Sequence, residues 1–291
     1  MTKSYIYAAI SIAFWSTVAV ITKIMLSSFN SFQVLWISSF FAGLFLLIVN
    51  ISNKNIKKLK AFKFKDYIIA TLVTLPGTFL YYVFYYLGAD RMLASQAFII
   101  NYLWPMMSVV FACIILKEKW SVRKIIAIIV SFLGVAIVSG GNLSEFSLNT
   151  VIGTILCMSA AISYGVFTAV SKKAGYDKPV SMMLGYFATF ILTTIINLLN
   201  NNLFIPNLTY TLGFIWNGAL TMALANTIWV VALESGNTAK ISNLAYITPF
   251  LALVWTSLIL KEELPVSSVV GLVVIVLGIF IQLKGKDRDK E

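Results

Sequence analysis

The sequence predicts an all-α integral membrane protein of about ten transmembrane helices, built as two inverted-topology five-helix repeats with both termini cytoplasmic, and three observations predict it. Apolar stretches long enough to cross a bilayer recur along nearly the whole 291-residue chain. Basic residues crowd into alternate intervals between those stretches. The second half of the chain repeats the first.

Composition sets the solvent. The chain is 59% hydrophobic and 11% charged, against about 25% charged in soluble domains. It contains no histidine, which excludes imidazole general bases, proton relays and metal ligands. Cys113 and Cys157 fall inside apolar stretches and read as packing residues, without the spacing of a metal site or an extracellular disulfide. No nucleophile–base pair, metal motif or glycine-rich phosphate loop is present, so the chain is not read as an enzyme and no cofactor is expected.

Each span is bounded by a polar break. The first, 4–26, ends at Ser27-Ser28-Phe29-Asn30-Ser31; it is long and lacks a small-x-small cleavage site, so it reads as a retained helix rather than a signal peptide. The second, 32–51, stops before the lysine run at 54–65, and the third, 67–87, stops at Asp90-Arg91. The fourth and fifth, 93–116 and 122–139, flank Lys117-Glu118-Lys119. The sixth, 150–171, ends at Lys172-Lys173; the seventh, 179–199, ends in an asparagine-rich turn; the eighth, 209–233, ends at Glu234. The ninth and tenth, 240–260 and 266–283, flank Lys261-Glu262-Glu263-Leu264-Pro265, and 284–291 is a charged cytoplasmic tail.

An even number of spans puts both termini on one side. With that side cytoplasmic, all of the 22 basic residues except Lys23, Arg91 and Lys261 lie inside. The net charge of +11 thus records membrane orientation, and the run at 54–65 reads as a solvated loop at anionic headgroups rather than a nucleic-acid site.

Sliding the chain by 144 positions aligns Tyr102 with Tyr246, Pro105 with Pro249, Leu116-Lys117-Glu118 with Leu260-Lys261-Glu262, and Gly134 with Gly278. A weaker echo pairs Trp15 with Tyr164 and Lys23 with Lys172. The repeats are 4–139 and 150–283, and an odd number of helices in each turns the second upside down relative to the first. Such a duplication supplies two conformations, each open to one side, around a site near the midplane. It favours a carrier of small molecules working by alternating access, and a monomer suffices because one chain holds both halves.

Polar and aromatic stripes mark candidate cavity walls. The fourth helix presents Asn101, Tyr102, Trp104, Pro105 and Ser108; others are Ser11, Trp15 and Thr22 in the first helix, and Tyr82 and Tyr85 in the third. The sixth offers Tyr164, Thr168 and Ser171, the eighth Asn226 and Trp229, and the ninth Asn243 and Tyr246. Pro105 and Pro249 each free a carbonyl one turn earlier, either shaping packing or serving a cavity. Lys23 and Lys172 sit near helix ends, where they snorkel to headgroups or gate the site. Glu118 and Glu262 are expected to cap or tether their turns. No acidic residue sits mid-span, so the walls suit a zwitterionic or neutral amphipathic solute without proton coupling.

These features resemble the EamA branch of the drug/metabolite transporter superfamily. The resemblance is carried over the whole chain by Ala13-Phe14-Trp15-Ser16-Thr17, Pro105, the Lys117-Glu118 turn and Gly134, with Pro249, Lys261-Glu262 and Gly278 in the second half. Asn101-Tyr102-Leu103-Trp104-Pro105 is similar to the bacterial aromatic amino-acid exporters within that branch, although Trp36, Ser38 and Ser39 occupy the second helix where the broader family often has an arginine. The resemblance implies a multi-pass protein of a bacterial cytoplasmic membrane whose partners are a small-molecule substrate and membrane lipids. The implied activity is export of amino acids, including aromatic and large neutral ones, with organic cations as the alternative.

Overall fold

The computed structural model describes residues 2–140, 147–235, 241 and 244–283. Among them are eight helices long and apolar enough to cross a membrane: α1 (Lys3–Leu26), α2 (Ser31–Ser52), α3 (Phe64–Ala89), α4 (Ala94–Ile115), α5 (Val122–Gly140), α6 (Leu148–Ala174), α7 (Lys178–Leu199) and α8 (Leu208–Leu233). Two shorter apolar helices follow, α9 (Ala245–Leu260) and α10 (Val266–Ile281). No strand occurs among the described residues. The tail at 284–291 lies outside them.

Helix starts follow local chemistry. Asn30 and Gln33 form a reciprocal capping box at α2, each backbone N–H donating to the other's side chain at 3.0 and 2.9 Å. Asp177 accepts from Val180 N at 3.2 Å to open α7, and Asn207 accepts from Tyr210 N at 3.0 Å to open α8. Gly175, at φ 71°, closes α6 in the left-handed conformation that glycine tolerates.

Several helices are broken inside the bundle. α1 is interrupted at Thr17, whose hydroxyl donates back to Phe14 O at 2.7 Å. α4 stops at Asn101 and restarts at Trp104, putting Pro105 at the second position of the new helix. The ninth helix repeats this within its expected span of 240–260: Ile241 and Leu244 are helical, Ala245–Ile247 is a 3₁₀ turn, and regular helix restarts at Thr248 with Pro249, which lacks an N–H, at its second position. Pro76–Leu80 in α3 and Trp216–Leu224 in α8 are π-helical.

Contacts between connections define two ends of the bundle. At one, Lys23 of α1 reaches the α3–α4 turn, Glu262 of the α9–α10 turn reaches the start of α4, and Gln33 of α2 donates to Asn202 O of the α7–α8 connection. At the other, Lys58 pairs with Asp177, Tyr176 donates to Asp66 at 3.1 Å, and Lys172 lies 3.5 Å from Glu118. The α2–α3, α4–α5 and α6–α7 connections therefore meet there.

Lateral packing is close wherever side chains are small. α5 runs along α10 and α2 along α7; α6 packs on α3 and α4, and α1 packs on α8 and α9. At α5–α10 a Cβ placed on Gly134 would lie 2.8 Å from Gly271 O, and one placed on Gly278 would lie 2.8 Å from Ala127 O. The two contacts interchange when each residue is replaced by its mate 144 positions away, as in a self-complementary interface. Outward faces carry bare aliphatic residues such as Ile48, Ile129, Ile195 and Leu258, which are 50–67% exposed and suit a hydrocarbon surround.

The Gly134 contact makes a direct prediction. Gly134→Ala inserts a methyl against backbone and should destabilise the detergent-purified protein by about 1–3 kcal/mol. Gly140→Ala, whose added carbon meets nothing within 4 Å, should leave the thermal midpoint unchanged or slightly raised. Equal midpoints for the two variants would show that α5 and α10 do not approach this closely.

Candidate functional site

The helix breaks surround a cavity of about 240 Å³ between the halves of the chain. Eight of its eighteen lining residues are aromatic, drawn from α1, α3, α4, α6 and α8. Trp15 and Trp229 form one side, with ring centroids 5.2 Å apart. On the other, Tyr164 meets Trp104 edge-on at 5.1 Å and Tyr81 at 5.2 Å, while Tyr82 stands nearly perpendicular to Tyr81 at 4.7 Å. Interlocked rings of this kind present rigid faces and edges to an apolar or aromatic solute.

Polar groups sit at defined points in this wall. Asn101, at the end of the first segment of α4, donates to the Tyr81 hydroxyl at 2.8 Å, while its own Oδ1 is buried without a hydrogen-bond partner. An unpaired buried amide oxygen costs about 1–3 kcal/mol unless something donates to it, and this one belongs to a cavity residue. Tyr102 donates to Ala245 O at 2.5 Å, spanning the breaks of α4 and α9. Asn226 donates to Met222 O at 2.8 Å, one turn back in α8, where the π-helical stretch ends.

Of the residues singled out in the sequence, Trp15, Tyr82, Asn101, Tyr102, Trp104, Tyr164, Thr168, Asn226 and Trp229 line this cavity. Asn243 lies outside the described residues. Tyr85, Ser108 and Tyr246 are placed elsewhere. Tyr85 is one turn beyond Tyr81 on the same helix face, fully buried and stacked under it at 6.2 Å, so the face continues below the cavity floor. Ser108 donates to Trp104 O at 2.9 Å in its own helix, and Tyr246 packs on Phe280 of α10 at 5.2 Å. In α1, Ser11 instead donates to Ala225 O of α8 at 2.9 Å and Thr22 is fully buried; in α6, Ser171 donates to Val73 O of α3 at 3.4 Å. Trp36 of α2 faces α7, donating to the Thr194 hydroxyl at 2.7 Å.

The cavity also contains residues that periodicity missed. Tyr81 stands beside the predicted tyrosines directly after the π-helical turn, and Thr221 comes from the π-helical stretch of α8. Ala245 and Thr248 enter through the break of α9, and Val18 follows the break in α1. Lys178, the first residue of α7, brings a positive charge into walls read from sequence as uncharged. Local pattern held no signal for it, because a lysine at a span boundary looks like any other positive-inside lysine.

The two ends of the cavity differ. The lining reaches Lys178 at the start of α7 and Leu233 at the end of α8, while toward the opposite end it goes no farther along α4 than Phe98, one turn inside the start of that helix. Beyond that stop, Glu262 accepts from Ala94 N at 2.7 Å and Ser95 N at 3.1 Å, capping α4 with a carboxylate. Lys23 corrects the snorkelling expectation: its ammonium donates to Ala89 O at 2.9 Å and Met92 O at 2.8 Å, satisfying carbonyls at the end of α3 instead of reaching headgroups. Their counterparts at the other end, Glu118 and Lys172, are 3.5 Å apart and largely exposed, with Lys124 3.8 Å from the same carboxylate.

Comparison with known proteins agrees with this architecture. The sequence model of the EamA-like transporter family matches residues 2–140 and again residues 151–283. The chain is 24% identical to the uncharacterized transporter YvbV of Bacillus subtilis, covering 96% of this chain and 90% of that protein. It is 26% identical to an uncharacterized transporter of Clostridium kluyveri, covering 99% and 95% respectively. A protein of known crystal structure superposes over 100% of both chains with a TM-score of 0.70 at 17% identity, a likeness of fold alone. The chain belongs to the EamA-like transporter family.

Proposed function

We propose that the chain exports amino acids, including aromatic and large neutral ones, across a bacterial cytoplasmic membrane by alternating access. The observation that carries this reading is an aromatic and amide-lined cavity that reaches one end of the bundle and is tied shut toward the other. Rings would hold the apolar body of the solute, and the unpaired Asn101 Oδ1 would accept from its donors. No acidic side chain is among the lining residues, so nothing in the wall calls for proton exchange, and the solute would move down its own gradient.

In this reading ten helices cross the membrane as two inverted five-helix repeats, with both termini in the cytoplasm. The family match to each half, the interchanging Gly134–Gly271 and Gly278–Ala127 contacts and the alternation of basic connections support it. The end reached by the cavity would then be cytoplasmic, the state in which an exporter loads. The shared geometry of the two Lys-Glu turns supports a swap between states: Lys117 and Lys261 are both left-handed, at φ 58° and 56°. When the outer end opens, Glu262 would release α4, and Glu118 would leave Lys172 to take the corresponding role at α9. A single chain supplies both halves, so a monomer is the working unit.

Two measurements test these statements. Phenylalanine or tryptophan at a hundred times its dissociation constant should stabilise purified protein by about 2.7 kcal/mol and should move across proteoliposomes. Trp104→Ala should abolish both effects, and Trp104→Phe should keep part of them. Stabilisation by quaternary amines alone would transfer the protein to the organic-cation reading, and absence of flux for a broad amino-acid panel would refute export of amino acids.

The second measurement concerns the tie at α4. Glu262→Ala removes a helix-capping carboxylate contributing about 0.5–2 kcal/mol, enough to shift a two-state equilibrium roughly two- to thirtyfold. With Ala97→Cys as reporter in a chain lacking Cys113 and Cys157, labelling by an impermeant thiol reagent from outside should rise by that factor. Unchanged labelling would show that Glu262 does not hold the outer end closed.

A further inference from the structure

Lys178 is the lysine at this end of the bundle that lines the cavity. Lys58 is paired with Asp177, and Lys124 and Lys172 share Glu118. Asp66 is occupied by Lys63 N and the Tyr176 hydroxyl. The carboxylates near the α6–α7 turn are therefore taken, and Lys178 makes no ion pair or side-chain hydrogen bond among the described residues. It is also the one charged residue among those lining the cavity.

Its position is built rather than incidental. Gly175, at φ 71°, turns the chain out of α6, and Asp177 then caps α7 through Val180 N at 3.2 Å while holding Lys58. These contacts anchor the first turn of α7, which carries Lys178 into the cavity lining. An unpaired ammonium in an otherwise uncharged wall attracts one class of solute and repels its opposite. Lys178 is itself exposed, so its pull on a solute is subject to screening by salt.

We infer that Lys178 is the anion-recognition residue of the cavity, so that the transported solute carries a carboxylate or equivalent acidic group attached to an apolar or aromatic body. The inference rests on the cavity being the transport site and narrows its substrate class: zwitterions and organic acids enter, whereas amines lacking an acid are turned away at the same point. Lys178 acts on the solute as a point charge on a flexible stem, so arginine can replace it and a neutral residue cannot.

The test uses full-length protein in phosphatidylcholine nanodiscs, where no anionic headgroup competes, and three probes of similar shape: phenylalanine, 3-phenylpropionate and phenethylamine. Wild type should bind the two carboxylates and bind phenethylamine at least about tenfold more weakly. Lys178→Gln should weaken 3-phenylpropionate about tenfold without weakening phenethylamine, Lys178→Arg should restore it, and Lys173→Gln, with the same change in net charge, should match wild type. Added salt should narrow the wild-type preference and leave the Lys178→Gln variant unmoved.

Equal binding of acid and amine by wild type, or a Lys178→Gln variant with unchanged acid affinity, overturns the inference and leaves the transport reading standing. Loss of all three probes in Lys178→Gln, with Lys178→Arg equally inactive, assigns the residue to packing and overturns it as well. If wild type binds none of the probes, the cavity reading fails and the inference falls with it.

Discussion

A chain in hydrocarbon has no water to satisfy its backbone, and every feature of this molecule bends to that constraint. Regular helix is the default because it consumes its own N–H and C=O groups. Wherever helix is interrupted, the freed groups must be met by protein or by a polar cavity. In this chain the interruptions gather in one place: the break at Thr17, the paired breaks before Pro105 and Pro249, and the π-helical stretches of α3 and α8 all adjoin the cavity. The site exists where helix fails, and its polar groups answer for that failure. Tyr102 donating to Ala245 O across two breaks is the plainest instance.

The same solvent removes the hydrophobic drive between helices, so cohesion falls to close contact and to charge at helix ends. Gly134, Gly271 and Gly278 let α5 and α10 touch backbone to backbone. Gly218 does the same for α8 against Ser38 O of α2, in the middle of the π-helical stretch. At the ends, Glu262 and Lys23 serve the start of α4 and the end of α3, each placing its charge against the complementary pole of a helix. Glu118 and Lys172 have the same local sequence setting yet pair with each other. Two turns that share Leu-Lys-Glu and a left-handed lysine thus meet different partners.

Much of this was legible in the order of residues. Span count and limits came from apolar length against polar breaks, and eight of the predicted spans recur as long helices within a few residues. Pro105 and Pro249 announced their breaks because a missing N–H is a property of the residue itself. Asn101, Trp104, Asn226 and Trp229 were found because a polar or aromatic stripe has few other places to face in an apolar helix. Tyr85, Ser108 and Tyr246 satisfy the same periodicity and do not line the cavity, since periodicity gives direction around a helix and not depth along it.

The sequence by itself determined the solvent, the helical class, the residues repeated at one offset and the aromatic and amide character of the walls, because each is written in local composition or in one fixed offset. Only the tertiary structure decided where the cavity stops, that Lys23 caps α3, that Glu262 holds α4, and that Lys178 is the charged residue in the cavity lining. Those facts depend on which distant residues meet: Glu262 and Ala94 are separated by 168 positions in the chain. A lysine's role in particular follows from its neighbours in space, since its charge is the same whether it faces a carboxylate, a headgroup or an open cavity.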